Sequence, residues 1–416
     1  MLLNSNRMRS IKSLIITTLC IPAVGVSVFG QVNSGGLGGA NLNTITTSVP
    51  FLMISPDARA GAMGDVGVAT STDASSMHWN AAKMAFAKEK VGLALNYTPW
   101  LRNLVPDIAL SYLSGYVQID ELQSFGASLR YFSLGDITFT NLNGETIATF
   151  RPNEFAVDAG YARKLSDNFS VGIAMRYIYS NLAAGLDQNQ QTKPGQSAAA
   201  DISGFYTTAT EVLDKKSQLS IGFNISNIGA KIAYTESGQS NFIPTNLRLG
   251  SALTMEIDDY NAITVALDFN KLLVPTNPIY QRDANGRIVF DPQGNPVIQQ
   301  GEDPNQKTLA EGMFSSFSDA PGGFAEELRE INISTGVEYW YNKVFAVRGG
   351  YFYEHPTKGG RQFFTMGAGV KYNVFNLNFS YLVPTTNLQG GNPLENTLRF
   401  SLLFDLQAFS ASANAR

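Results

Sequence analysis

From Val91 onward the chain keeps returning to one pattern: an apolar or aromatic residue at every second position, with a small, polar or charged residue between. Successive side chains of a strand point to opposite faces, so this period describes strands whose two sides meet different surroundings. Val91, Leu93, Leu95 and Tyr97 alternate with Gly92, Ala94 and Asn96, and Val171, Ile173, Met175, Tyr177 and Tyr179 with Gly172, Ala174 and Arg176. The pattern recurs in Ile263, Val265, Leu267 and Phe269 around Asp268, in Phe375, Leu377, Phe379 and Tyr381 around Asn376 and Asn378, and in Leu398, Phe400, Leu402 and Phe404 around Arg399 and Asp405. One face asks for lipid and the other tolerates charge, the reverse of a soluble sandwich, which buries its apolar face.

Alternation alone is shared by sandwiches and barrels, and the connections separate them. About fourteen strands can be placed, near 90–98, 106–117, 122–132, 154–164, 169–180, 200–208, 218–227, 245–256, 261–271, 331–342, 344–354, 363–373, 375–384 and 396–405, an even number as bacterial single-chain barrels require. Connections after even strands are short (Leu165–Asn168, Ile257–Tyr260, Lys343, Val374), and those after odd strands are long (Ser133–Asn153, Asn181–Ala199, Ile228–Pro244, Leu272–Glu330, Thr385–Glu395). This is the arrangement of periplasmic turns and outer loops, and it places both termini in the periplasm. Tyr177/Tyr179, Tyr339/Tyr341 and Tyr351/Tyr353 stand at strand ends, where an aromatic girdle meets headgroups. Composition agrees: 15% of residues are charged, against about 25% in an average soluble domain. Every apolar run is interrupted before the roughly 18 residues that a spanning helix needs. The fold class expected is all-β, a transmembrane antiparallel barrel over 89–406.

Arg7, Arg9 and Lys12 precede the apolar run Leu14–Phe29, with Val28 and Gly30 at the small-residue positions of a cleavage site, so 1–30 reads as a secretory signal peptide. Cleavage after Gly30 removes Cys20, the only cysteine. Residues 31–88 precede the first strand: a flexible Gly/Asn-rich start (Gly35, Gly36, Gly38, Gly39), then a Gly- and Ala-rich stretch suited to entering the lumen as a plug. Asp73-Ala-Ser-Ser opens a helix expected to run through Trp79 to Ala87. The long loop 272–330 carries turn signals at Asn285-Gly286 and Gly294-Asn295, a hairpin over Ile288–Phe290 and Val297–Gln299, and a helix near Phe324–Glu330. Residues 407–416 form a tail beyond the last strand.

Little catalytic chemistry is on offer. The two histidines, His78 and His355, read as loop or helix-cap residues, and with Cys20 removed no His/Cys metal site can be assembled. Gly35–Gly39 lacks the ending of a phosphate loop. A net charge of -4 without a basic stripe excludes a nucleic-acid surface. The ionisable residues expected to face inward are Arg130, Asp158, Arg176, Arg248, Asp268, Glu338, Arg348, Lys371, Arg399 and Asp405. They serve either a luminal ligand or, as a mixed-sign set, one another and a plug, since buried charge is tolerated when paired.

Three stretches carry a resemblance: Pro56-Asp-Ala-Arg-Ala-Gly-Ala-Met-Gly-Asp-Val-Gly-Val-Ala-Thr70, His78-Trp-Asn-Ala-Ala-Lys-Met-Ala-Phe86 and Tyr97-Thr-Pro-Trp-Leu-Arg-Asn-Leu104, continued by Tyr112-Leu-Ser-Gly-Tyr116 and Leu129-Arg-Tyr-Phe-Ser-Leu-Gly135. With these the chain resembles the PorV (LptO) family of the type IX secretion system of Bacteroidetes. More broadly it is similar to FadL-type fatty-acid channels, fourteen-stranded with an N-terminal segment near the lumen, and to PorQ-like proteins that share the Ala-Arg-x-x-x-Met-Gly element. Where those relatives often have Trp-Asn-Pro-Ala, this chain has Trp79-Asn80-Ala81-Ala82, and alanine, unlike proline, allows the helix to run on.

The resemblance implies a non-enzymatic shuttle in the outer membrane, without cofactor. Such a protein collects cargo bearing a C-terminal β-sandwich signal from the translocon barrel and delivers it to an attachment complex, whose peptidase subunit removes the signal and anchors the cargo to surface lipopolysaccharide. The physical counterpart is the set of long outer loops. Phe314, Phe317 and Phe324 in the longest are apolar anchors of the interface kind, or else fold the loop onto itself. Trp100 and Leu101 in the first outer loop are a second candidate contact, or a membrane-interface anchor. A second function class, a FadL-like transporter of hydrophobic small molecules, is kept open by Ile178, Phe132 and Trp340 on otherwise polar inner faces.

Overall fold

Fourteen antiparallel strands close on themselves in the computed structural model, which describes residues 42–102, 105, 107–140, 146–182, 192–235, 240–385 and 392–405. The signal peptide expected at 1–30, the start of the linker and the tail 407–416 lie outside the described residues. The barrel strands are β1 (Val91–Pro99), β2 (Ile108–Gln118), β3 (Gln123–Leu134), β4 (Asn153–Lys164), β5 (Phe169–Asn181), β6 (Gly195–Val212), β7 (Lys215–Gly229), β8 (Asn246–Glu256), β9 (Asn261–Leu272), β10 (Asn332–Tyr341), β11 (Phe345–Tyr353), β12 (Gln362–Tyr372), β13 (Phe375–Pro384) and β14 (Leu398–Asp405). Each pairs with its neighbours in sequence, and β1 closes on β14 with Leu95 opposite Leu402. The alternation does what the sequence required: on β9, Thr264, Ala266 and Asp268 are buried inside while Val265 (49% exposed) and Phe269 (42%) stand on the outer wall.

One mouth carries the short turns. Leu213-Asp214 and Asn342-Lys343 both have positive φ at two successive residues (53° and 58°, 51° and 54°), the backbone of a primed two-residue hairpin turn whose twist matches the strands it joins. The other mouth carries the long loops. In one, Ile137–Thr140 pairs with Thr146–Phe150; in another, 273–331 holds α3 (Leu309–Ser315), α4 (Phe324–Arg329) and a small sheet over 279–300. In outer-membrane barrels short turns of this kind mark the periplasmic mouth.

Residues 42–88 run the length of the lumen. At the long-loop mouth the Asn43 amide donates to Thr357 O at 3.0 Å and the Ser48 amide to Phe242 O at 2.9 Å. Midway come α1 (Ala58–Gly61) and α2 (Ser76–Trp79). At the short-turn mouth Gln118 Nε2 donates to Ala87 O at 2.6 Å before β1 begins. The described chain therefore starts and ends at opposite mouths. An even strand number sets the start of β1 and the end of β14 on one side, and the plug carries the described chain back to the other; the termini expected in the periplasm lie outside the described residues.

Two local expectations also change. The helix does not run through to Ala87: α2 stops at Asn80, which is extended (φ -168°, ψ 102°), and a 3-10 turn follows over Ala81–Phe86. The fully buried Asn80 side chain supplies the reason, since Oδ1 accepts from Ala82 N at 3.0 Å and Nδ2 donates to Val68 O and Gly204 O at 3.1 and 3.0 Å. Local side-chain bonding of this kind competes with helix and ends it without a proline. Strands β6 and β7 are longer than their alternation showed, because Ala209–Val212 and Lys215–Ser217 also pair, carrying mostly polar side chains.

Candidate functional site

The lumen is filled at three levels. Near the long-loop mouth, Val49, Phe51 and Leu52 of the plug pack on Ile108, Leu110, Phe132 and Ile178 of the wall, with Phe51 stacked on Phe132 at 6.2 Å. The inward apolar residues that kept a transporter in play, Phe132 and Ile178, are thus covered by the chain itself. Trp100 packs against the same cluster, and neighbouring Leu101 takes a positive φ of 51°, so Trp100 is committed to the barrel's own core. Trp340 lies under the Arg348 guanidinium at 5.5 Å.

The middle level holds most of the inward charges. Arg130 donates to Phe51 O and Leu52 O at 3.2 and 2.6 Å and meets His78 Nδ1 at 2.5 Å. Because a guanidinium only donates, His78 accepts there and carries its proton on Nε2. Arg248 donates to His78 O at 3.1 Å and lies over the Trp79 ring at 5.0 Å. Asp268 Oδ2 accepts the amides of Gly67 and Val68 at 2.8 and 3.0 Å. Glu338 binds Arg59 of the plug and Arg348 of the wall, whose Nη1 also donates to Asn378 at 2.9 Å. Arg399 reaches Gly61 O at 3.3 Å and Asp65 at 3.4 Å. Asp158, Arg176 and Asp201 form a chain within the wall, at 2.5 and 3.1 Å, which Asn227 joins at Arg176 Nη1.

At the short-turn mouth the plug's Met77, Met84 and Ala85 pack on Ala94 and Tyr116. Beyond them lies a cavity of about 260 Å³, and into it face Lys371 and Asp405, 3.6 Å apart. These two of the ten inward charges pair with each other in its polar vestibule. Sequence reading missed the plug's own contributors Asp57, Arg59 and Lys83, and also Asp201. The motif Pro56-Asp-Ala-Arg59 was the available signal for the first two. Asp201 keeps the inward parity of Ser197, Ala199 and Ser203, but its outward neighbours Ala198 and Ala200 are too small to mark a lipid-facing side in the sequence.

Above the wall, the long loop is organised by buried ion pairs. Lys271 Nζ contacts Glu327 at 3.0 Å and Glu330 at 2.6 Å, and Lys358 Nζ contacts Glu326 at 2.5 Å and Glu330 at 2.9 Å. Asn43 ties the plug's first described residues to the same loop, donating to Asn277 O and Glu326 at 3.1 and 3.2 Å. Burial works against a charged Glu326, but the Lys358 hydrogen bond, the Gly322 amide and the Lys358 charge outweigh it and hold the carboxyl below its ordinary value. Of the expected anchors, Phe314 is 77% exposed, Phe324 76% and Phe317 50%.

The model of the type IX secretion system protein PorV matches residues 38–279, more than half of the chain. The chain belongs to the PorV family. Its role therefore lies in type IX secretion, and it is an outer-membrane barrel of a non-enzymatic kind of protein. Among solved structures it is similar to a TodX monoaromatic hydrocarbon channel with a ΔS2S3 deletion, at 12% identity and a TM-score of 0.46 over 83% of this chain and 97% of that one. The Ralstonia pickettii toluene transporter TbuX gives 12% and 0.44 over 88% and 98%. A Pseudomonas aeruginosa FadL homologue gives 11% and 0.41 over 87% and 99%. No curated protein sequence matches this PorV-family chain.

Proposed function

We propose that this PorV-family barrel works by binding proteins at its outer mouth, taking cargo with a C-terminal β-sandwich signal from the translocon barrel and presenting it to the attachment complex and its signal-removing peptidase. The observation that carries the reading is the self-occupied lumen: the inner apolar patch of Phe132 and Ile178, where a hydrophobic solute would sit, holds the plug's Phe51 and Leu52. What remains for function is the outer crown. Phe314 points out of it, on the side of α3 opposite Gly312, which is buried near the Phe242 ring and Pro275. The same loop holds the small sheet, in which Gln281, Val289 and Val297 bond one another in a triangle (2.8, 2.9 and 2.9 Å) and Phe290 is exposed. Exposed apolar side chains of this kind suit a protein contact.

The test is a mild-detergent pull-down of tagged protein from its native outer membrane, scored by mass spectrometry. Two variants are informative: residues 283–296 replaced by a Gly-Ser turn, and Phe314→Ser. Removing 300–328 is not, because it takes away Glu326 and Glu327 and leaves Lys271 and Lys358 short of partners. A large translocon barrel and signal-bearing cargo that co-purify with wild type and are depleted with either variant support the proposal. A partner-free wild type that carries fatty acid overturns it and favours the transporter.

A further inference from the structure

α4 is inside out. Its acidic side, Glu326, Glu327 and, just past its end, Glu330, turns inward onto Lys271 and Lys358. Its apolar side, Phe324 (76% exposed) and Leu328 (53%), one helical turn apart, turns away from the protein. A helix on the aqueous surface of a protein is built the other way. The barrel wall shows the same inversion, and there the outer surroundings are acyl chains.

Position decides which surroundings α4 meets. Val265, Leu267 and Phe269 occupy the lipid-facing parity of β9, and Lys271 is the next residue in that column. Lys271 is nevertheless buried, because residues 317–330 cover it: Glu327 and Glu330 bind its ammonium and the Phe317 ring lies 6.0 Å from it. The segment that covers an outward-facing residue lies on the outside of the rim; α4 therefore straddles the rim, its inner side reaching the plug's Asn43 through Glu326 and its Phe324 and Leu328 turned away from the lumen. The column below is apolar without a break, Phe269 standing opposite Ile333 of β10, whose chain continues upward into α4. Arg329 is exposed beside Leu328, placed to extend its stem over apolar surface and its charge to headgroup phosphates.

We infer that α4 together with Phe317 is an interfacial lipid anchor, seated at the boundary of acyl chains and headgroups in the outer leaflet and continuous with the lipid-facing wall through Phe269 and Ile333. The assignment stands independently of the shuttle reading. It divides the loop: Phe314 and the small sheet face partners, and Phe317, Phe324 and Leu328 face lipid.

The full-length barrel is reconstituted in phosphatidylethanolamine/phosphatidylglycerol vesicles in a Cys20→Ser background, with a nitroxide on a single cysteine at 324, 328, 269 (lipid control) or 285 (water control). Each variant is first checked for the heat-modifiable gel mobility of a closed barrel. Labels at 324 and 328 are expected to be relaxed several-fold more by oxygen than by a water-soluble nickel chelate, as at 269. Labels at 324 and 328 that follow 285 overturn the anchor and leave the face to a protein. A Phe324→Trp variant gives a reading with the loop unlabelled: brominated lipid is expected to quench the fluorescence it adds over wild type, and unquenched added fluorescence counts against the anchor. Either result leaves the pull-down outcome free, so failure here is distinct from failure of the shuttle.

Discussion

Arg59 of the plug and Glu338 of β10 form a two-pronged ion pair, Nε donating to Oε2 at 3.0 Å and Nη2 to Oε1 at 2.8 Å, while Arg348 of β11 donates to Oε2 from the other side at 2.6 Å. One carboxylate thus ties the plug to two strands. Glu338→Ala leaves Arg348 with Asn378 and the Trp340 ring but without its counter-ion, and strips Arg59 to its contacts with Asp73 and Ser71. Uncompensated buried charge of this kind costs about 3–5 kcal/mol. Urea unfolding in detergent micelles should show that loss for Glu338→Ala and a smaller one for Glu338→Gln, which keeps an acceptor; an unchanged midpoint for Glu338→Ala would refute the latch.

Asn80 makes a second, separable contribution. Asn80→Ala removes the side chain that satisfies Val68 O and adds a bond to Gly204 O, which keeps its strand partner Phe223, and a buried carbonyl left without its donor costs about 1–3 kcal/mol. Asn80→Asp should be worse than Asn80→Ala in the same assay, because it turns a negative oxygen toward both carbonyls.

Which parts of this were legible beforehand follows from what enforces each pattern. Lipid on one side and charge on the other leave a strand no freedom, so the fourteen strands and the inward placement of Arg176, Asp268 and Glu338 could be read from alternation alone. The partners of those charges could not, because Arg59, Gly67 and Val68 belong to a segment without period, brought into place by packing. The small sheet was half legible. Its hairpin turns were visible, but the repeat Asp283-Ala-Asn-Gly-Arg-Ile-Val289 and Asp291-Pro-Gln-Gly-Asn-Pro-Val297, which closes Gln281, Val289 and Val297 into a triangle, needs three segments to be seen together. Phe324 shows the same limit: exposure marks it as a surface residue, and only the outward parity of buried Lys271 says which surface.

The seat of the long loop should depend on acid. Glu326 is held below its ordinary value of 4.5 in the folded protein, so its contribution to stability is fully present above that value and is lost as pH falls through the lower folded value. Limited proteolysis of the loop in detergent should therefore stay slow from neutral pH down to the ordinary carboxylate range and accelerate below it. Lys358→Gln, which removes the cation, should move the acceleration to higher pH. Cleavage independent of pH in both proteins would show that the pair does not hold the loop.

The plug's tightest seat offers the sharpest test of a closed lumen. Gly336 and Gly350 are cross-strand partners on β10 and β11, and the plug's Met63-Gly64 turn lies directly on them, with the Gly64 amide donating to Thr365 Oγ1 at 2.8 Å and its φ at +70°. A Cβ on Gly350 would stand 2.1 Å from Met63 C and 2.2 Å from Gly64 N, backbone atoms that cannot step aside as a side-chain tip could. Adjacent Gly349 has the other parity, and a Cβ there meets only Thr365 O at 3.8 Å. Gly350→Ala should therefore unseat the turn, at a cost of about 1–3 kcal/mol for overpacking, whereas Gly349→Ala should be silent. In planar bilayers the wild type and Gly349→Ala are expected to pass no steady ionic current, and Gly350→Ala to open a fluctuating conductance as the plug leaves its notch. Equal silence from Gly349→Ala and Gly350→Ala, with equal stability, would mean that the turn is not seated between the two glycines.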